Sequence, residues 1–349
     1  MRRRFSLMAL AAAAAAALAC GQVQAQVQAQ AQAQDAAAFY KGKTVRFVVG
    51  VGVGGGFDAY ARMIAPYLGR NLDATVVVEN QLGAGGLVAL NRISTAQPDG
   101  LQLMIVNGTP AALGQLLDQQ NVRYDLTKLE HLGVIAAYPW IWLVRKDSPV
   151  ASVADAQKPD ARLRWGGVGP TDGPADGANI TCHALKLNCQ IVLGYKGSAD
   201  IALAMERGEM DALYVSDSSA AQYVKSGAAR AVAAMGDKRS KLLPDTPTVF
   251  EQAKLDDEQR WWLEFRMSIN DLGRILVTTP GVPADRLAFL REAVKKTLTD
   301  PALIAEGEKT ERFVDFQEPE VARNLAVKAL GGATPEMREK VRKVVLPNQ

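Results

Sequence analysis

The chain has 349 residues, 48% of them hydrophobic, with 40 Lys+Arg against 37 Asp+Glu; that length exceeds one ordinary domain and predicts two, each burying its own core. A leader covering residues 1–25 carries three Arg and no acid, so without it 37 basic residues face 37 acidic ones. The remaining chain is near neutral and has no basic stripe that would suit nucleic acid or an anionic membrane, and its two histidines leave little material for metal or general-base chemistry.

Met1-Arg2-Arg3-Arg4, an apolar run from Phe5 to Ala19 and a Gln/Ala-rich exit follow the order of an export signal, not of a membrane span. Val23-Gln24-Ala25 fits small-x-small cleavage and puts the mature start at Gln26. Leu18-Ala19-Cys20-Gly21 offers a competing lipoprotein site at Cys20, although Ala17 stands where a larger aliphatic residue is preferred. Residues 22–34 alternate Gln, Ala and Val without charge or core pattern, and 26–38 are expected to form a disordered linker.

From Lys43 the chain repeats one unit: an apolar β-rich run, a loop of small residues, then an amphipathic helix. The first strand is Thr44 to Val49. Gly50, Gly52 and Gly55 follow it as G-x-G-x-x-G, ahead of a helix with the stripe Phe57, Ala61, Ile64, Leu68. That placement is the one a dinucleotide-binding turn requires, and Glu79, at the end of the next apolar run, stands where a ribose-binding acid would sit. The second strand, Ala74 to Val78, leads through ENQLGAGG into a helix from Leu87 to Thr95. The third, Leu101 to Val106, leads through NGTP into AALGQLL, with Pro98-Asp99-Gly100 as the turn before it. Such alternation predicts a mostly parallel sheet with helices on both faces. Its ligand would sit beyond the carboxyl ends of the strands, where each loop feeds a helix N-terminus that favours an anion.

A second series begins near Tyr138, with strands at 141–145, 162–165, 190–193, 210–215 and 230–234. Its loops, GGVGPTDGPADG, GYKGSAD and SDSS, are again small and polar. Trp140, Trp142 and Trp165 are expected in the core or hinge, with Trp165 reaching an aromatic ligand if it faces the cleft; Trp261-Trp262 is expected to pack between lobes. Cys182 and Cys189 form either a local disulfide, which the helix end at Leu187-Asn188 and an oxidising compartment favour, or two buried free thiols. His183 beside them lacks a fourth partner for zinc. The segments RILVTTP and PADRLAFLREAVKKTL are expected to return to the first lobe, giving lobe 1 as 39–140 plus 255–349 and lobe 2 as 141–254.

The candidate ligand-binding residues lie in these loops: Gly54, Gly55, Phe57 and Asp58; Gly85 and Gly86; Asn107, Gly108 and Thr109; Gly167, Gly169 and Thr171; Tyr195, Lys196 and Gly197; Ser216 and Asp217. Against a ligand role, the glycines of the first loop serve equally to allow a tight turn, Asp58 to cap its helix, and Tyr195 to pack.

Gly54-Gly55-Gly56-Phe57-Asp58 with Ala61-Arg62, Val76-Val77-Val78-Glu79-Asn80 with Gly83-Ala84-Gly85-Gly86, Pro98-Asp99-Gly100, Tyr124-Asp125, Tyr195-Lys196-Gly197, Gly208-Glu209-Met210-Asp211 and Leu243-Pro244-Asp245-Thr246-Pro247-Thr248 run in this order. Together they resemble the solute-binding proteins of tripartite tricarboxylate transporters, the Bug or TctC-type family. The resemblance covers residues 40–300. It implies a type II periplasmic binding fold, two α/β lobes joined by two crossings around a cleft, in a periplasmic, non-enzymatic monomer without cofactor or metal. It also implies a small organic carboxylate, di-, tricarboxylic or aromatic, held by backbone N–H groups and water and not by an arginine clamp, and delivered to membrane subunits. The chain departs from the family at Val53, where proline is common, at Pro170-Thr171-Asp172, at Ser216-Asp217 and over 254–274. An acid at 172 would repel a carboxylate, so it is expected to face away or to meet a cationic or hydroxylated part of the ligand.

Two other readings compete. One is an exported NAD-dependent oxidoreductase built on Gly50, Gly52, Gly55 and Glu79. The other is a ligand-sensing partner of a membrane kinase. No G-x-S-x-G, H-E-x-x-H or Walker motif is present.

Overall fold

The protein is described by a computed structural model that covers residues 34–331 and 333–347. The expected signal sequence, its cleavage site and the first part of the linker lie outside the described residues. Residues 34–38, expected as linker, instead open a short helix α1 (34–40). It forms because Tyr40 is fully buried, stacks on Phe289 at 5.5 Å and donates its hydroxyl to Gly100 O.

The elements follow in the order β1 (Thr44–Val49), α2 (Gly56–Leu72), β2 (Thr75–Asn80), a 3₁₀ turn at Ala84–Gly86, α3 (Leu87–Ser94), β3 (Gln102–Asn107), α4 (Gly108–Leu116) and β4 (Glu130–Ala136). Then come β5 (Trp140–Arg145), α5 (Val153–Ala156), β6 (Leu163–Gly166), α6 (Gly173–Leu185), β7 (Cys189–Val192), α7 (Ser198–Glu206), β8 (Ala212–Ser216), α8 (Asp217–Lys225) and β9 (Ala229–Ala234). The chain finishes with α9 (Val249–Gln252), α10 (Asp257–Ser268), β10 (Arg274–Thr278), α11 (Ala284–Leu298), α12 (Pro301–Lys309), α13 (Pro319–Gly331) and α14 (Pro335–Val345).

Two five-stranded sheets result, ordered β2-β1-β3-β10-β4 and β7-β6-β8-β5-β9. In each, four strands run in one direction, and the strand that has just entered from the other lobe, β10 or β5, pairs antiparallel with both neighbours. Each sheet is thus mostly parallel, as the repeat predicts, with one reversed strand. A chain entering at the cleft side starts where the parallel strands end, so it must run away from the cleft. β4 was not anticipated, because its glutamate and histidine at the start and its Gly133 obscure an otherwise buried run.

Each lobe has its own core. In the first, Phe47 and Val49 of β1 pack against Ile64 and Leu68 of α2, all fully buried, at roughly 1.5–3 kcal/mol per side chain. In the second, Trp142 and Trp165 meet at 5.2 Å inside the core. Trp165 therefore does not face the cleft.

The expected assignment of everything after 254 to the first lobe fails for two helices. α10 and α14 both pack on α6 of the second lobe. Arg266 of α10 forms a buried ion pair with Asp176 of α6 at 2.7 Å, and Val341 and Val345 of α14 enter the second-lobe core. Trp261 and Trp262 go with them and receive Lys340 at 4.3 and 5.2 Å. α13 packs on β4 and α4 of the first lobe, so the chain makes a third passage between lobes after the two at 137–139 and 269–273. Cys182 and Cys189 are joined by a disulfide with their Cα atoms 6.2 Å apart. This is possible because α6 stops at Leu185 and Lys186 turns back through φ +56°.

Candidate functional site

The lobes are closed on one another. Gly52 N–H donates to Lys196 O at 2.7 Å, Thr171 Oγ1 donates to Gln119 Oε1 at 2.6 Å, and a Cβ on Gly169 would lie 2.8 Å from the Ala84 carbonyl carbon. Beneath these contacts lies a cavity lined from both lobes, with Gly50, Gly55, Gly56, Phe57, Gly85, Gly86 and Asn107 on one side and Asp172, Gly197, Ser216 and Ser219 on the other.

Close approach of two loops requires glycine at the first wall. A Cβ on Gly50 would stand 2.6 Å from Gly86 Cα, and Gly86 holds φ +99°, a conformation that disfavours any other residue. The same geometry disposes of the dinucleotide turn. Gly50 abuts the second loop, the N–H of Gly52 is taken by the other lobe, and Gly55 is the N-cap of α2. Glu79 pairs with Arg46 at 3.6 Å in place of a ribose.

Five helices begin at the cavity: α2, α3, α4, α7 and α8. Their N-cap residues, Gly55, Gly86, Asn107, Gly197 and Ser216, make no side-chain capping hydrogen bond. Each start turns the positive end of its dipole toward the space it faces, but only α2 and α7 keep their first N–H groups unused; in α3 Leu87 and Val88 donate to Ala84 O and Gly83 O, in α4 Gly108 donates to Gly273 O, and in α8 Asp217 and Ser218 donate to Pro139 O and Asp217 Oδ1. α6 differs, because Asp172 caps it through a bond from Ala175 N at 3.0 Å and accepts Val168 N at 3.1 Å on its other oxygen. Asp172 lines the cavity and is buried. Burial pushes its carboxyl up to about 7, against the pull of the backbone N–H groups of Val168, Ala175 and Gly169.

The floor is Arg274, the first residue of β10, which is completely buried. Its Nη2 donates to Ser216 Oγ at 3.1 Å across the lobe boundary. The rings of Tyr138, Tyr60 and Phe57 stand 3.8, 4.2 and 5.2 Å from its guanidinium carbon. Its Nε and Nη1 have no partner, and among the described residues no carboxylate lies within ion-pair distance. A buried cation in that state is costly until an anion meets it. The resemblance implied a ligand held without an arginine clamp, yet an arginine lies at the cavity floor. Nothing local marked Arg274: it closes the stretch 254–274, which follows the family pattern least, and only the fold brings it under the cavity. Tyr138, Trp140, Asp172 and the apolar residues Leu87, Leu90 and Met104 were likewise not among the expected ligand-binding residues and line the wall.

Of the residues expected at the site, Gly55, Phe57, Gly85, Gly86, Asn107, Gly197 and Ser216 line the cavity. The others lie outside its lining. Asp58 is buried and clamps the first loop by accepting Gly54 N, Arg62 Nε and Asn80 Nδ2 at 2.9–3.0 Å; burial raises its pKa, but these bonds outweigh it and hold the carboxyl below its usual range. Gly108 N–H is used by Gly273 O and Thr109 Oγ1 by Ile269 O. Gly167 donates to Val192 O. Gly169, Thr171 and Lys196 serve lobe contact, the last through its backbone while its side chain is exposed. Tyr195 packs beside the second-lobe core. Asp217 turns to Ser240 Oγ and Ser218 N. His131 is buried in β4 with neither ring nitrogen bonded, and burial, helped by Arg291 and Arg323, lowers its pKa to about 4. His183 packs against Trp262.

The family model described as "Tripartite tricarboxylate transporter family receptor" matches residues 60–314. A UPF0065 protein of Agrobacterium vitis is 28% identical over 295 residues, covering 83% of this chain and 80% of that protein. Among solved structures, the periplasmic binding protein BugD is similar with a TM-score of 0.74 at 23% identity, covering 87% of this chain and 98% of that one. MatC from Rhodopseudomonas palustris, solved with bound malate, is similar with a TM-score of 0.70 at 21% identity, covering 86% and 98%. The chain therefore belongs to the tripartite tricarboxylate transporter receptor family, the TctC or Bug type, whose members are solute-binding receptors and not enzymes.

Proposed function

We propose that the chain is an exported, monomeric periplasmic receptor that encloses a small organic carboxylate between its lobes and delivers it to the membrane subunits of a tripartite tricarboxylate-type transporter. The observation that carries this reading is Arg274, buried with no carboxylate in ion-pair contact among the described residues, at the floor of a cavity at which five helices start without a side-chain cap and to which α2 and α7 bring unused N–H groups. Buried charge without a partner is destabilising, and orphan N–H groups are satisfied by ligands as readily as by caps. A carboxylate supplies both needs at once. The malate in MatC supports carboxylate as the ligand class.

Closure supplies donors from both lobes. Ser216 and Ser219 come from one and Gly56 and Arg274 from the other, with Ser216 Oγ accepting from Arg274 Nη2 and Ser219 Oγ beside Gly56. Release to a partner then requires the Gly52 to Lys196 bond to open, which exposes the same donors to water. Thermal unfolding of residues 26–349 against mono-, di-, tri- and aromatic carboxylates, with NAD in the panel, tests the reading. A carboxylate at a hundred times its Kd adds about 2.7 kcal/mol of stability. Stabilisation by NAD and by no carboxylate would refute it.

A further inference from the structure

We propose that this cavity selects a compact carboxylate with a single negative charge and an apolar body over di- and tricarboxylates, with Arg274 as the charge partner and Asp172 as the residue that rejects a second charge. The inference rests on the receptor reading above and narrows it.

The cavity has two unlike poles. At one, Arg274 Nη2, Ser216 Oγ and Ser219 Oγ gather around Gly56 at the start of α2, where a Cβ would stand 3.5, 3.7 and 2.8 Å from them. This pole brings together a guanidinium with two unpartnered nitrogens, a pair of hydroxyls and the unused first N–H groups of α2. Arg274 is the only basic side chain among the described residues that line the cavity.

At the other pole stands Asp172, under Gly85 and next to Gly173 and Trp140: a Cβ on Gly85 would meet Asp172 Cβ at 2.8 Å, and one on Gly173 would meet the Trp140 ring. The cation acting on Asp172 is Arg266, which is already paired with Asp176. Of the two helix starts there, α6 is capped by Asp172, and the first N–H groups of α3, on Leu87 and Val88, already donate to Ala84 O and Gly83 O. Leu87, Leu90, Met104 and Trp140 supply the rest of the wall.

A second carboxylate on the ligand would therefore leave water for a site with an apolar wall, an acid and no cation. Uncompensated burial of charge is the costliest exchange a pocket can impose. An aromatic ring or short alkyl chain meets the same wall favourably. The cavity measures about 80 Å³, which suits a single ring or a chain of a few carbons.

The test is calorimetric titration of residues 26–349 with pairs that share a skeleton and differ by one carboxylate: benzoate against terephthalate and hexanoate against adipate, with malate and citrate added. The inference expects the monocarboxylate to bind at least tenfold tighter within each pair, and malate and citrate to bind more weakly than benzoate. In Asp172→Asn, checked for folding by its thermal transition, the discrimination should shrink at least threefold, with the gain on the dicarboxylate side. Equal or tighter binding of the dicarboxylates by the unaltered chain overturns the selectivity while leaving the carboxylate receptor intact. Discrimination unchanged in folded Asp172→Asn removes the role given to Asp172. Binding of none of the six carboxylates overturns both readings together.

Discussion

Helices that begin at the cleft and helices that begin elsewhere are built by opposite rules. α5, α9, α10, α12 and α14 start away from the cavity, and each is capped by a side chain: Ser152, Thr248, Asp256, Asp300 and Thr334. Two of these are full capping boxes, with Glu251 and Gln259 reaching back. α2, α3, α4, α7 and α8 start at the cavity without such a bond. A missing cap costs about 1 kcal/mol, so the five bare ends forgo stability that the outer helices retain. α11, which starts at Pro283 outside the cleft, lacks such a bond too. α6, capped by Asp172, is the exception inside. Side-chain caps are thus withheld where a ligand can approach, and at α2 and α7 the first N–H groups stay unused as well.

The largest effect is expected where the comparison is sharpest, at the floor. Arg274→Met should weaken carboxylate binding by about 2–5 kcal/mol, the usual loss when one partner of a buried charge pair is removed. Its thermal midpoint without ligand should hold or rise, because an unpaired buried charge leaves with the side chain. Calorimetry and unfolding on the same sample separate the two effects. Next, Gly50→Ala should force the first two loops apart, since its Cβ would meet Gly86 Cα at 2.6 Å. A destabilisation of about 1–3 kcal/mol is expected by chemical unfolding, with weaker binding.

Installing a cap at the cleft breaks the contrast directly. Gly55 holds φ −78° and ψ 170°, which any residue adopts, and a Cβ there finds only Ser198 Oγ at 3.3 Å and Gly52 O at 3.7 Å. Gly55→Ser should stabilise the unliganded chain by up to about 1 kcal/mol while reducing ligand affinity, because its hydroxyl takes an N–H that the ligand would use. The reverse change outside, Thr248→Ala, should cost about 1 kcal/mol of stability and leave affinity unchanged. A loss of affinity in Thr248→Ala equal to that in Gly55→Ser would remove the distinction between the two sets of helices.

Much of this was open to reading in the residues. The strand, small loop and helix units were legible because hydrophobic period and glycine placement act locally, and β1, β3, β5 and β9 fall close to the runs that announced them. Gly55, Gly86, Gly197 and Ser216 could be chosen because a strand end followed by small residues marks a helix start wherever it occurs. Strand direction in β5 and β10 was not legible. It follows from which lobe the chain has just left, and no window of sequence carries that. Arg274 escaped for a related reason: an arginine ahead of an apolar strand reads as a surface residue until the lobes close over it. Thr171, Gly169 and Lys196 stood in the right loops and yet serve the seam between lobes, since a loop at the cleft mouth has both tasks within a few residues. The resemblance itself argued against an arginine, and Arg274 lies at the end of the stretch where that resemblance is weakest.

The most direct test of the central claim is a crystal structure of the chain with its tightest-binding carboxylate. The expected result places the carboxylate within about 3 Å of Arg274 Nη1 or Nε, with N–H groups of α2 completing its hydrogen bonds. A carboxylate held elsewhere in the cleft, with Arg274 still unpaired beneath it, would contradict the claim.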